Sequence, residues 1–248
     1  MKLSRYKRSS TFSYAFGATL IFELLRTYSC NITRVFLRPT QKRGEDLKKL
    51  LSKLHHYNID IVESAKAFNI LGAKDSCLAI AEFNKPTTAL INTPETPHIV
   101  LVNPSDSGNL GTIIRTAVAL GFSNLAIITP AVDHFDPKTI RASMGAIFHI
   151  NIATFASFEE YLQSCNGSQP RTLYAFMLDQ QSQLLTEIKP TDRNYALIFG
   201  NEATGLPESF ANYAQPVFIP QSPIIDSLNL AVAASIGMYH FSTVSTAR

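Results

Sequence analysis

From Ile99 onward the chain repeats one pattern: a short run that is apolar throughout, then a stretch with helical spacing. The apolar runs are Ile99–Val102, Leu125–Thr129, Ile150–Thr154, Thr172–Phe176, Tyr195–Phe199 and Val217–Ile219. Between them lie helix-like stretches, among them Leu110–Leu120, Pro137–Phe148, Phe158–Ser164 and Leu228–Phe241. A strand that alternates apolar and polar residues has one wet face. Runs without that alternation have none, so these predict a parallel sheet covered on both faces by helices, an α/β fold. Ligands of such sheets sit beyond the carboxyl ends of the strands. The loops after Val102, Phe199 and Ile219 are therefore the places to look for chemistry.

Residues 1–90 read as a smaller α/β domain. Helical spacing runs from Ala15 to Leu25 with Glu23 as a polar break, and strands are predicted at Arg34–Leu37, Asn58–Val62 and Leu78–Phe83. Glu45–His55 is an amphipathic helix with Leu47, Leu50, Leu51 and Leu54 on one side. Pro86, Pro94 and Pro97, set among Asn and Thr, mark a boundary, and the second domain is placed at 97–248. Lys2, Arg5, Lys7 and Arg8 before the apolar run Phe12–Leu25 imitate a secretory signal. Glu23 interrupts that run, Arg26 follows it, and no small-x-small cleavage site is present. It is also shorter than the roughly 20 apolar residues a bilayer span needs. The expectation is a buried helix in a cytoplasmic protein with no membrane association.

The 248 residues are 46% hydrophobic, which excludes a disordered chain, and the net charge of +3 is too small to point to a partner. Its distribution says more. Residues 1–50 hold 11 Lys and Arg against 3 Asp and Glu, whereas the remainder holds 11 against 16. A basic start on an acidic body fits either a polyanion partner or a solvated surface. Cys30, Cys77 and Cys165 are too far apart in sequence to form a zinc pattern, and His55-His56 has no third ligand at a suitable spacing. No metal site is predicted.

The first loop, Asn103-Pro-Ser-Asp-Ser-Gly-Asn-Leu-Gly, opens a helix that Asn109 could cap, with Arg115 about one and a half turns inside it. The second, Gly200-Asn-Glu-Ala-Thr-Gly-Leu-Pro, has the glycine spacing of a phosphate loop. Leu206 and Pro207 stand where such a loop needs Lys and Ser or Thr, which disfavours an NTPase. No G-x-G-x-x-G follows any strand, which disfavours a dinucleotide fold. What remains is a tight turn bearing Glu202, a carboxylate that could also favour the start of a helix near Pro207. The third loop, Ile219-Pro-Gln-Ser-Pro-Ile-Ile-Asp-Ser-Leu-Asn-Leu, runs into a nearly apolar helix. Ser227 is a plausible cap there, and Asn229 is a poor helix former for a first turn.

These loops, in this order and each after a strand, resemble the SpoU (TrmH-like) family of RNA ribose methyltransferases in the SPOUT superfamily. Asn103–Ala117, Ile198–Pro207 and Ile219–Ala234 match its motifs, most closely at Phe199-Gly-Asn-Glu and Ser227-Leu-Asn-Leu-Ala-Val-Ala, and Arg141-Ala-Ser-Met-Gly is similar as well. The resemblance runs from about Ile99 to the last residue. Ser13-Tyr-Ala-Phe-Gly and Ile21-Phe-Glu-Leu-Leu resemble, more loosely, the small substrate-binding domain that many members carry. The resemblance implies a parallel α/β sheet with a trefoil knot, a homodimer, and S-adenosylmethionine (AdoMet) as cofactor, with no metal. It implies methylation of a ribose 2′-hydroxyl, in rRNA ahead of tRNA; a non-catalytic RNA-binding paralogue is the alternative.

By the same resemblance Gly200, Ile219 and Leu228 hold the cofactor, and Asn109, Arg115, Glu202, Ser227 and Asn229 form the catalytic site. A guanidinium keeps its proton in water, so Arg115 is read as gripping a phosphate and stabilising an alkoxide, with the family's role of base left open. Glu202 is read as orienting an Arg, of this subunit or its partner, and Ser227 and Asn229 as holding the loop and the target nucleotide. Gln221 stands where members often have Met. Lys2, Arg5, Lys7, Arg8, Arg38, Lys42 and Arg43 are the residues that could track RNA phosphates.

Overall fold

The computed structural model describes residues 3–39, 44–93, 95–165, 170–179, 182–190 and 192–246; Lys2, Lys42, Arg43 and Pro94 lie outside them. In chain order the elements are β1 (Phe12–Phe16), α1 (Ala18–Tyr28), β2 (Ile32–Leu37), α2 (Glu45–His56), β3 (Ile61–Glu63), α3 (Ala65–Leu71) and β4 (Ala79–Asn84). There follow β5 (His98–Val102), α4 (Ser107–Ala119), β6 (Asn124–Ile128), α5 (Pro137–Ala142), β7 (Asn151–Phe155) and α6 (Phe158–Ser164). The last are β8 (Thr172–Phe176), β9 (Gln183–Leu184), β10 (Tyr195–Phe199), β11 (Gln215–Phe218) and α7 (Leu230–Thr246). They form two compact units, one of Met1–Thr87 with Asp133–His149, the other of Thr88–Val132 with Ile150–Arg248.

The first unit has a four-stranded mixed sheet in the order β1-β4-β2-β3. Its core includes Tyr14, Leu24, Phe36, Leu50, Leu54, Phe68 and Phe83, all buried. The segment 133–149, which the sequence reading left with the second part, belongs here. Ser13 Oγ donates to the Phe135 carbonyl at 2.6 Å, Tyr6 hydrogen-bonds Asp133, and His149 meets Glu23 at 2.8 Å.

Three local expectations are corrected. The helix predicted from Ala15 starts at Ala18, because Phe12–Phe16 pairs antiparallel with β4 and Gly17, at φ 100°, breaks the chain between them. Five residues rich in aromatics fit a pleated surface, and pairing outweighed the helical spacing. The strand predicted from Asn58 begins at Ile61, since Asn58 sits at φ 54° in the turn after α2. The stretch Pro137–Phe148 is not one helix. Met144 and Gly145, at φ 52° and 87°, end it, and a 3₁₀ turn follows. The helix α3 was missed; Ser64 caps it through the Ala67 amide and Gly72 ends it at φ 68°.

The second unit is a seven-stranded sheet in the order β7-β6-β5-β10-β8-β11-β9, parallel at every pairing. Every residue of β5, β6 and β10 is buried, as runs without polar alternation require. Val100, Val102, Ala196 and Ile198 pack with Phe158, Tyr161 and Phe210 in one core cluster. Tyr174 and Tyr195 meet Phe241 of α7 at ring-centroid distances of 4.8 and 4.9 Å. Because all strands point one way, the loops after β5, β10 and β11 emerge at one edge. Insertion of β10 beside β5 makes the first two loops neighbours, although they are far apart in sequence. Among the described residues no helix is long and apolar enough to cross a membrane.

Candidate active site

The loop after β5 begins with Asn103 at φ 54°, its side-chain amide donating to the Pro130 carbonyl at 3.2 Å. From the neighbouring loop, Asn201 Nδ2 donates to the Asn103 carbonyl at 2.7 Å. Asn201 Oδ1 accepts from the amide of Ala203 at 2.9 Å, and its backbone pairs with Gly205 in both directions at 3.2 and 2.9 Å. This turn has no room for a side chain at Gly200, where a Cβ would lie 2.2 Å from the Gly205 carbonyl carbon.

Glu202 projects from that turn into the first loop. Its Oε2 accepts from the Ser105 amide at 3.0 Å and the Ser105 hydroxyl at 2.7 Å. Its Oε1 accepts from the Asp106 amide at 3.1 Å and from Asn109 Nδ2 at 3.2 Å. Burial alone would raise the Glu202 pKa; the bonds from Ser105 and Asn109, with that from its own amide, outweigh burial and hold it below the usual carboxylate value.

An ionised carboxylate only accepts, so Asn109 must turn its NH₂ toward Glu202 and its carbonyl away. That carbonyl accepts from Asn229 Nδ2 at 3.0 Å. Asn229 Oδ1 then accepts from the amides of Ala231 and Val232 at 2.9 and 3.3 Å. One charge thus sets the orientation of two side-chain amides and ties the starts of α4 and α7 to the second loop.

These bonds correct several local readings. Asp106, not Asn109, caps α4, accepting from the Asn109 amide at 2.7 Å. Asn229, not Ser227, caps α7, a position where Asn is favoured. Glu202 serves the first loop rather than the start of a later helix. Arg115 is exposed, deeper in α4 than expected, and among the described residues it makes no hydrogen bond or ion pair.

Beside this network lies a cleft of about 360 Å³ at the carboxyl ends of β8, β10 and β11. Gly200, Ile219 and Leu228, the residues expected to hold a cofactor, all line it, as do Glu202 and Ser227. Asn109, Arg115 and Asn229 do not; Asn109 bonds the lining Glu202, and Asn229, bonded to Asn109, stands between the lining Leu228 and Leu230. Phe176 and Phe199, stacked 4.3 Å apart, also line it, and Gly237 lets α7 lie against them: a Cβ there would come 2.7 Å from Phe176. Ser105 and Asn201 were not singled out by sequence reasoning. Their signal was weak, because loop Ser and Asn residues usually serve turns.

Residues 96–239, more than half of the chain and spanning all three loops, match the family model described as the SpoU rRNA Methylase family. The chain belongs to that family. The 23S rRNA (guanosine(2553)-2'-O)-methyltransferase RlmP of Bacillus subtilis is 30% identical over 177 residues, covering 68% of this chain and 70% of that protein. An uncharacterized tRNA/rRNA methyltransferase of Synechocystis sp. is 34% identical over 142 residues, 57% of this chain and 51% of that protein. The crystal structure of an AdoMet-bound rRNA methyltransferase from Sinorhizobium meliloti matches with a TM-score of 0.78 at 26% identity, covering 93% of this chain and 86% of that one. The chain spans about half to seven-tenths of the length of these two curated relatives.

Proposed function

We propose that this SpoU-family chain transfers a methyl group from AdoMet to a ribose 2′-hydroxyl of RNA, rRNA ahead of tRNA. The observation that carries the reading is the Asn229–Asn109–Glu202 chain beside a cleft lined by Gly200, Ile219 and Leu228. The cleft fits the cofactor. Its turn brings backbone close at Gly200, Ile219 and Leu228 offer apolar faces for an adenine, and its carboxylates suit a cation. When bound, AdoMet supplies an electrophilic methyl group, so the chain's own residues must position the hydroxyl, exclude water and handle one proton.

In this reading Glu202 and the two asparagines build the pocket wall. Arg115, with its donors uncommitted among the described residues, grips a substrate phosphate and stabilises the developing alkoxide, and Ser227 faces the target. A homodimer completes the site. Val232, Ile236 and Tyr239 form an exposed stripe along α7, which packs beside the helix that carries Arg115. The insertion of β10 between β5 and β8 supports a trefoil knot closed by α7.

The first unit is the RNA-substrate-binding domain. It holds 17 Lys and Arg against 9 Asp and Glu, the second unit 5 against 10, so phosphates are drawn to the first. The reaction belongs to the cytoplasm, a reading consistent with the free thiols Cys30, Cys77 and Cys165. The test replaces Arg115 with Ala and measures AdoMet binding and transfer separately. Binding should persist while transfer falls at least about 100-fold. Unchanged transfer would remove Arg115 from the chemistry, and a product lacking alkali-resistant dinucleotides would move the target from ribose to base.

A further inference from the structure

We infer that Glu208 and Asp179 give the cleft a preference by charge, favouring the cationic sulfonium cofactor over its neutral thioether product. The inference rests on the cofactor reading above and assigns the residues that discriminate the two ligands.

Three carboxylates line the cleft, those of Asp179, Glu202 and Glu208, and no Lys, Arg or His is among its lining residues. Four donors of the first loop converge on Glu202. Asp179 accepts from the Ser182 hydroxyl at 3.2 Å and stays exposed at the end of β8. Glu208 is exposed where a short 3₁₀ turn begins after Pro207. Much of the remaining wall is apolar, including Phe176, Phe199, Val217, Ile219 and Leu230. Walls of low polarisability carry a charge's field further than water does, so two carboxylates at such a mouth act on a ligand without touching it.

The ligand's own charge changes during the reaction. Before transfer it carries a sulfonium, an ammonium and a carboxylate, a net charge of +1. Methyl transfer breaks the methyl carbon–sulfur bond and leaves its electron pair on sulfur. The same carbon bonds the ribose oxygen, and the hydroxyl proton passes to solvent water. The spent ligand keeps only the ammonium and the carboxylate and is neutral overall. A negative cleft therefore holds the methyl donor more tightly than the product, which lessens product inhibition.

Calorimetry with AdoMet and S-adenosylhomocysteine tests this on the full chain, with Glu208→Gln, Asp179→Asn and the double variant. Glu187→Gln serves as control, since it removes the same charge outside the lining. The double variant should lose about three- to tenfold in affinity for AdoMet and little for S-adenosylhomocysteine. Its deficit should shrink as salt rises from low to about 0.5 M. Equal weakening of both ligands would mean the side chains act by shape, and unchanged affinities for both would mean they do not act; either overturns the inference alone. A wild-type chain that binds neither ligand overturns the cofactor reading with it.

Discussion

Replacing Glu202 with Gln swaps one oxygen for an NH₂ and removes a charge, and both changes strike the same four bonds. Placed at the Oε2 position, the NH₂ faces the Ser105 amide, a donor against a donor, although the Ser105 hydroxyl can rotate to accept. Placed at Oε1, it faces the Asp106 amide and the NH₂ of Asn109. Asn109 can relieve that contact only by flipping, and the flip breaks its bond to Asn229. Every arrangement leaves at least one backbone donor unpaired, which costs about 1–3 kcal/mol. The surviving bonds lose their charge assistance, about 1 kcal/mol each at most. Glu202 is half-buried, so the low end applies and the total is about 2–3 kcal/mol. For a chain of this size that lowers Tm by about 5–10 °C.

Thermal and denaturant unfolding of the variant measure this directly. A double-mutant cycle with Ser105→Ala should show coupling of about 1 kcal/mol, because the two residues share bonds. The wild type should also lose this stabilisation as pH falls through the lowered Glu202 pKa, below the usual carboxylate value, and the Gln variant should lack that loss. A Gln variant as stable as wild type, with purely additive effects, would refute the claim that this carboxylate anchors the first loop.

Two further outcomes are expected. Gly200→Ala should abolish measurable AdoMet binding in calorimetry while circular dichroism stays near wild type, because its Cβ would strike the Gly205 carbonyl carbon at 2.2 Å; retained binding would show that the turn can yield. His98 is buried, and desolvation, with help from Arg171, pushes its pKa down to about 4. Between pH 6.5 and about 4 the unfolded chain therefore binds a proton that the folded one refuses, so stability should fall by up to about 3 kcal/mol on acidification. Denaturant midpoints across that range, compared with His98→Gln, check the sign, and a flat wild-type profile would contradict it.

The parallel sheet was legible because burial on both faces leaves its mark on each strand separately. Every residue of β5, β6 and β10 is buried, and after the leading His98 of β5 and Asn124 of β6 each reads as an apolar run. Where pairing partners decide, local pattern misled: β1 has residues compatible with a helix and becomes a strand only because β4 lies beside it. The two-residue β9 carries no periodicity at all. Segment 133–149 was misplaced for a similar reason, since its companions in the first unit, Tyr6, Ser13 and Glu23, lie more than a hundred residues away. At the site, the residue types were legible and their partners were not. Asn229 looked out of place as a first-turn residue and proved to be the cap.

How those partners are spent decides where the chemistry can reside. Glu202 has accepted four bonds, and Asn109 and Asn229 have each used both the donor and the acceptor of their amides. Groups engaged in this way can fix a shape but have little capacity left to grip a substrate. Among the residues matched to the family's catalytic set, the exposed Ser227 and Arg115 are the ones without such commitments among the described residues. The guanidinium offers five donors in a planar fork, and phosphate and alkoxide oxygens are what such a fork fits. Arg115 does not line the cleft of its own subunit, so the proposed role for it goes together with the proposed homodimer, for which the apolar stripe Val232, Ile236 and Tyr239 on the adjacent helix is the docking face.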